Sequence, residues 1–170
     1  TNRSLPSEFL AEAVASVVDQ ERTGYELEYI IVDGASTDGT LAELEPYRYG
    51  IEQVISEPDR GLYDAMNKGI ALSNGKWIMF FGTGDLPKKD GFEFLIRTLE
   101  KGLESEVLAF GVHLLPPRES GVPEFYQPVW NSALKWRNTL HHQGVIYSRD
   151  LLRNAPYDIK FKVLADYHLH

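Results

Sequence analysis

The stretch EYIIVDGASTDGT, Glu28 to Thr40, decides the fold. Tyr29 to Val32 is an apolar run without apolar/polar alternation, the pattern of a strand buried on both faces in a parallel sheet covered by helices. It stops at a carboxylate, Asp33, followed by a Gly34-Ala35 turn. A second carboxylate, Asp38, stands beside Gly39-Thr40 where a helix begins, and there it reads as a cap rather than a ligand. In open α/β sheets, ligands bind beyond the carboxyl ends of the strands. Asp33 is therefore either a ligand-binding acid or the organiser of its own turn.

The flanking segments repeat the theme. Before the motif, Phe9, Leu10, Ala13, Val14, Val17 and Val18 fall on one helical face behind Pro6, and Thr23-Gly24 closes that element. After it, a helix is predicted from about Thr40 to Tyr47 and a strand over Ile51 to Ile55. In SEPDRGLYDAMNKGI (Ser56 to Ile70), Leu62, Ala65, Met66, Gly69 and Ile70 share one helical face. Tyr63 and Asn67 share another, and Asn74-Gly75 predicts a left-handed cap. WIMFFGTGDLP (Trp77 to Pro87) is a further buried strand, Trp77 to Phe81, with a glycine turn that delivers Asp85. Phe92, Leu95, Ile96 and Leu99 predict an amphipathic helix ended by Gly102.

From about Leu103 the pattern changes. Val107 to Val112, a turn containing Pro116, Pro117, Gly121 and Pro123, and Glu124 to Val129 predict an antiparallel hairpin. The fold class is α/β: a mostly parallel sheet flanked by helices with a small antiparallel C-terminal portion. It forms one domain, with residues 1–102 as a nucleotide-binding half and 103–170 as an acceptor-facing half.

Composition narrows the function. The 170 residues suit a single core, and 43% hydrophobic with 25% charged residues is ordinary for a globular chain. No apolar run approaches the ~20 residues of a membrane helix, and no secretory leader is read. A net charge of −8, without a basic stripe, argues against nucleic acid as a partner. An anionic ligand would then call for a metal as mediator. The chain has no cysteine, which excludes disulfides, thiol nucleophiles and cysteine-based zinc sites.

VDGASTDGT, SEPDRGLYDAMNKGI and FFGTGD, followed by HHQGVIYSRDLL and LADYHLH, together resemble the family 2 glycosyltransferases of the GT-A fold. The resemblance is nearest to bacterial enzymes of exopolysaccharide or colanic-acid type. It implies inverting transfer of a sugar from a nucleotide diphosphate, a UDP-sugar being favoured, to a glycan or lipid-linked acceptor, assisted by Mg²⁺ or Mn²⁺. It also implies a cytoplasmic protein, peripheral at the inner membrane.

Carried over by position, the resemblance makes Asp33 a nucleobase contact, Asp85 the metal carboxylate and Asp166 the general base. Arg60, Asn67, His142 and Gln143 become donor-site residues, with His141 less defined. Each has a plainer reading. Asp85 can be an acid in a glycine turn, Arg60 a solvated residue behind an Asp59 cap, and Asp166 a surface acid near the terminus. Asp64 and Lys68 form an i,i+4 ion pair in either case. Trp130 and Trp136 suit sugar stacking or core packing.

Three departures count against full function. Gly84 stands where relatives carry a second acid, and Met66 stands where many carry Arg. Relatives also open with an apolar strand that pairs centrally in the sheet, whereas this chain begins Thr1-Asn2-Arg3, so the first central strand is expected to be missing and the edge beside Tyr29 uncovered. The competing reading is a non-catalytic nucleotide- or carbohydrate-binding module of the same fold. A nucleotidyltransferase ranks last, because no basic glycine-rich loop lies near the N-terminus.

Overall fold

The apolar run after Glu28 forms strand β1, Ile30–Asp33, and Asp33 is its last residue. β1 pairs in parallel with β2, Gln53–Ser56, in a register that sets Asp33 opposite Ser56. The structure, a computed structural model, describes residues 7–20, 24–102, 104–115, 121, 123–135 and 139–161. Asp166, Trp136, Leu103 and the Pro116-Pro117 dipeptide lie outside them.

Helix α1, Ser7–Val18, buries Ala13, Val14, Val17 and Val18 as its periodicity predicts, while Phe9 stays 44% exposed. Val14 and Val18 form one core with Leu44 and Ile51, against which Tyr29 and Ile31 pack. The helix predicted over Thr40 to Tyr47 is a single turn, α2 (Thr40–Glu43), followed by a 3-10 stretch, Glu45–Gly50. Pro46 breaks it: lacking an N–H, it cannot continue the α-helical ladder.

Helix α3, Leu62–Leu72, buries Tyr63 and Ile70 and packs on β1. No left-handed cap follows it. Ser73 is extended, and the carboxylate of Glu28 instead accepts the Asn74 and Gly75 amides at 2.7 and 3.1 Å.

The mostly parallel sheet is corrected. β3, Trp77–Met79, runs antiparallel to β7, Val145–Ser148, whose other edge pairs antiparallel with β4, Val107–Ala109. Only β1 and β2 pair in parallel among the described residues. The chain returns through the middle of this second sheet as β7, which meets both of its partners head to tail. Helix α4, Lys89–Leu99, links β3 to β4.

The predicted Val107 to Val112 strand divides at Phe110-Gly111, and its second piece, β5 (Val112–His113), makes the hairpin with β6 (Phe125–Tyr126). Helix α5, Arg149–Asn154, starts at Ser148, whose Oγ accepts the Leu151 N–H at 3.1 Å. The main core gathers Tyr63, Ile70, Ile78, Leu140, Tyr147 and Leu152. Since β7 lies between β3 and β4, the two sequence halves share a sheet.

Candidate active site

The two strands that deliver the predicted carboxylates begin at the same rim. Glu28, just before β1, is bonded to Asn74 and Gly75, just before β3. Both segments contribute to the lining of one cavity, the first with Tyr29, Ile30 and Val32, the second with Trp77 to Phe81. Asp33 ends the first of these strands, and Asp85 stands in the turn beyond the second.

Asp33 is 8% exposed and tightly held. Its Oδ2 accepts the Ser56 hydroxyl at 2.6 Å and the Ser36 amide at 2.9 Å. The first bond follows from the parallel register, the second from the turn. Desolvation pushes this carboxyl's pKa upward, but the bonds from Ser36, Ser56 and the Ala35 amide outweigh it and hold the group below the ordinary carboxylate range. The acid is ionised at neutral pH. Ala35 has φ of 64°, a left-handed conformation uncommon outside glycine, so the loop is fixed in an unusual shape beside the acid.

SEPDRG closes onto the same loop. The Glu57 amide donates to the Asp33 carbonyl at 3.0 Å. The Asp59 carboxylate lies where a Cβ on Gly34 would approach within 2.5 Å, so any side chain there would displace it. Asp59 also accepts the Gly61 amide at 2.8 Å, which sets the entry to α3 without a side-chain cap on the helix.

Arg60 is 71% exposed and donates to Asp64 at 2.7 Å, while its own amide donates to the same carboxylate at 3.0 Å. The side-chain bond, the amide bond and the charge of Arg60 together hold the Asp64 carboxyl below its usual range. The predicted Asp64–Lys68 bridge does not form: Lys68 reaches Glu57 at 2.9 Å and the Pro58 carbonyl at 2.9 Å. Asn67 clamps the backbone of Tyr157, donating to its carbonyl at 2.9 Å and accepting its amide at 3.0 Å.

Asp85 closes a tight turn, accepting the Gly82 amide at 2.6 Å while its own amide donates to the Gly82 carbonyl at 3.1 Å. Gly84, at φ of 97°, makes that turn possible. Gln143, 58 positions away, directs its Nε2 to Asp85 Oδ1 at 3.4 Å. FFGTGD and HHQG thus meet. Gln143 Oε1 is buried with no partner among the described residues. His142 stacks on His141 with ring centroids 5.5 Å apart, and His141 meets Tyr126 edge-on at 5.6 Å.

Trp130 is 63% exposed, so it is not core; it borders a cavity of about 590 Å³ beside β4. Neither that cavity nor the one between β1 and β3 is lined by Asp33 or Asp85. Among the described residues, no three His, Asp or Glu side chains group as a metal cage. No helix there is long and apolar enough to cross a membrane. Sequence reasoning missed Ser56 and Ser36 as the anchors of Asp33, although a serine opposite a strand-end acid is the signal for the first. It also missed Glu28, to which it gave no role.

The architecture is that of the GT-A glycosyltransferases. It superposes on Staphylococcus aureus TarS solved with UDP at a TM-score of 0.74, with 21% identity over 98% of this chain and 51% of that one. It superposes on the mannosyltransferase PcManGT of Pyrobaculum calidifontis, solved with GDP-Man and Mn²⁺, at 0.69, with 18% identity over 99% of this chain and 48% of that one.

The chain belongs to Glycosyl transferase family 2, whose profile matches residues 1–158. A PGL/p-HBAD biosynthesis glycosyltransferase of Mycobacterium bovis is 29% identical over 96% of this chain and 65% of its own length. An uncharacterised glycosyltransferase of Mycobacterium tuberculosis is 32% identical over 92% of this chain and 60% of its own. The chain thus spans less than two thirds of the length of these curated relatives. They are mycobacterial, and none is named as a colanic-acid enzyme.

Proposed function

We propose that the chain forms the donor-binding part of an inverting glycosyltransferase that takes a sugar from a nucleoside diphosphate, UDP being favoured, and passes it to a glycan or glycolipid hydroxyl at the cytoplasmic face of a membrane. What supports this reading is the ionised, immobilised Asp33 at the end of β1 together with the contact of Asp85 and Gln143 beyond the end of β3. A carboxylate with a lowered pKa accepts from the N–H groups of a nucleobase at every physiological pH. UDP bound to TarS and GDP-Man bound to PcManGT support a nucleoside diphosphate as ligand class.

Asp85 suits the diphosphate end. Hard divalent cations take oxygen ligands, and Mg²⁺ commonly uses one or two carboxylates with phosphate oxygens and water. Asp85, with the unpartnered Oε1 of Gln143 nearby, fits that minimal set, and PcManGT was solved with Mn²⁺. Bound there, Mg²⁺ or Mn²⁺ would supply the positive charge that this acidic chain otherwise lacks. Arg60, exposed and paired with Asp64, is the cation we assign to the donor at this loop, His142 and Gln143 are assigned to the sugar, and Asn67 fixes the backbone at Tyr157.

Inversion requires the acceptor oxygen to attack the anomeric carbon from the side opposite the departing diphosphate, its proton passing to a base. Asp166 is the residue we assign to that step. Donor hydrolysis and nucleotide binding by Asp166→Asn test the assignment: lost turnover with retained binding is expected, and unchanged turnover would remove Asp166 from the mechanism. Gly84 in place of a second acid favours the competing reading, a binding module. That reading predicts nucleotide binding without hydrolysis in the unmodified protein.

A further inference from the structure

Both short bonds to the carboxylate of Asp33 end on one oxygen. The Ser56 hydroxyl reaches Oδ2 at 2.6 Å, and the Ser36 amide reaches the same atom at 2.9 Å. A carboxylate oxygen offers about two lone pairs, so Oδ2 is filled from within the protein. Oδ1 receives neither bond. The one buried side-chain oxygen without a partner among the described residues belongs to Gln143, so Asp33 Oδ1 reaches solvent. The sense of the Ser56 bond is fixed as well: an ionised carboxylate only accepts, and the hydroxyl donates.

The strand register builds this contact. Parallel pairing sets Ser56 opposite Asp33 at the last rung of the β1–β2 ladder. The next amide, that of Glu57, donates to the Asp33 carbonyl at 3.0 Å and fixes the backbone on both sides. An acid held in this way cannot turn its second oxygen to a ligand without giving up a short bond.

Nucleobases differ in how many N–H groups they direct along their pairing edge. Guanine presents N1–H and N2–H side by side, a match for both oxygens of a free carboxylate. Uracil presents N3–H alone, between two carbonyls. Adenine and cytosine set a ring-nitrogen lone pair beside their amino group, where it would face carboxylate oxygen. With Oδ2 filled, guanine must leave a donor unmet or break the Ser56 bond, and an unmet donor in a closed site costs more than a contact never made. Uracil asks for Oδ1 only.

Given the reading of Asp33 as the nucleobase contact, on which this rests, we propose that Ser56 is the positioning residue that sets base specificity: by filling Oδ2 it makes Asp33 the acceptor of a single N–H and selects a uracil-type base against guanine.

UDP and GDP differ only in the base, so their calorimetric affinities at fixed Mn²⁺ test this on the 170-residue chain and on Ser56→Ala, Ser56→Thr and Asp33→Ala. The unmodified chain is expected to favour UDP at least about tenfold, a difference of about 1.4 kcal/mol. Ser56→Ala frees a lone pair on Oδ2, so the preference should shrink at least about threefold, with GDP bound no more weakly than before. Ser56→Thr keeps the hydroxyl and should keep the preference. A serine that served the fold alone would weaken both nucleotides alike, and an unmoved ratio in Ser56→Ala overturns the proposal. So does a chain that binds both equally or prefers GDP, or a Ser56→Thr that behaves as Ser56→Ala. Failure of the underlying reading looks different: UDP affinity untouched by Asp33→Ala, or no binding of either nucleotide, removes Asp33 from the base and the role of Ser56 with it.

Discussion

The two strand ends that carry the proposed site are finished to different degrees. At the end of β1, Asp33 is buried, accepts two short bonds from Ser36 and Ser56, and has Glu57 and Asp59 closing over its loop. At the β3 end, Asp85 satisfies its own turn, meets Gln143 only at 3.4 Å, and leaves Gln143 Oε1 buried without a partner. The first end has its geometry built in before any ligand arrives. The second holds polar capacity in reserve. In a donor site this division separates recognition of a rigid base from capture of a charged, cation-linked diphosphate.

The sharpest way to break the comparison is Asp33→Ala. It removes the acceptor of the Ser56 hydroxyl and of the Ser36 amide, two hydrogen bonds at exposed serines worth roughly 0.5–1.5 kcal/mol each. A lowered Tm with nucleotide affinity reduced at least about tenfold is expected, and an unchanged Tm would show that the β1 end is not preorganised.

Asn67→Ala should rank next. It removes both bonds to the Tyr157 backbone, again roughly 1–3 kcal/mol by thermal denaturation, with a smaller change in nucleotide affinity than Asp33→Ala. The reverse order of effects would make Asn67 a direct ligand contact.

Gln143→Leu sharpens the other side. It trades an unsatisfied buried amide for an apolar group of similar size, so Tm should hold or rise slightly while donor hydrolysis falls. A clear loss of Tm would mean that the reserve at Asp85 is structural.

Acid separates the ends more gently. At Asp33, desolvation is outweighed by hydrogen bonds, so the folded pKa lies below the ordinary 3.8. A depressed folded pKa means that the stability it contributes is complete above 3.8 and is lost as pH falls through the lower folded value. Between those values Asp33→Asn should lose stability less steeply with falling pH than the unmodified protein. Parallel curves would deny the ionised state its role.

Most of the element order was legible in the sequence, because unbroken apolar runs and helical stripes report burial directly. Tyr29 to Val32 announced a strand, and the face of α1 was readable from Ala13, Val14, Val17 and Val18. Pairing was less legible. Trp77 to Phe81 reads as a parallel strand, yet burial on both faces fixes neither the direction nor the identity of its neighbour, and β7 approaches it antiparallel. The Asp85–Gln143 contact was readable only as two motifs of one family; no local pattern says that residues 58 positions apart will meet. Glu28 was invisible because its role depends on where α3 ends.

The central claim is that Asp33 and Asp85 hold opposite ends of one nucleotide ligand, the second through a cation. Calorimetric UDP affinity, measured with and without Mn²⁺ for the unmodified protein, Asp33→Asn and Asp85→Asn, tests it most directly. The account predicts that Mn²⁺ tightens UDP at least about tenfold, about 1.4 kcal/mol, that Asp85→Asn removes only this increment, and that Asp33→Asn weakens both affinities while keeping it. An increment that survives Asp85→Asn, or an affinity indifferent to Asp33→Asn, would contradict it.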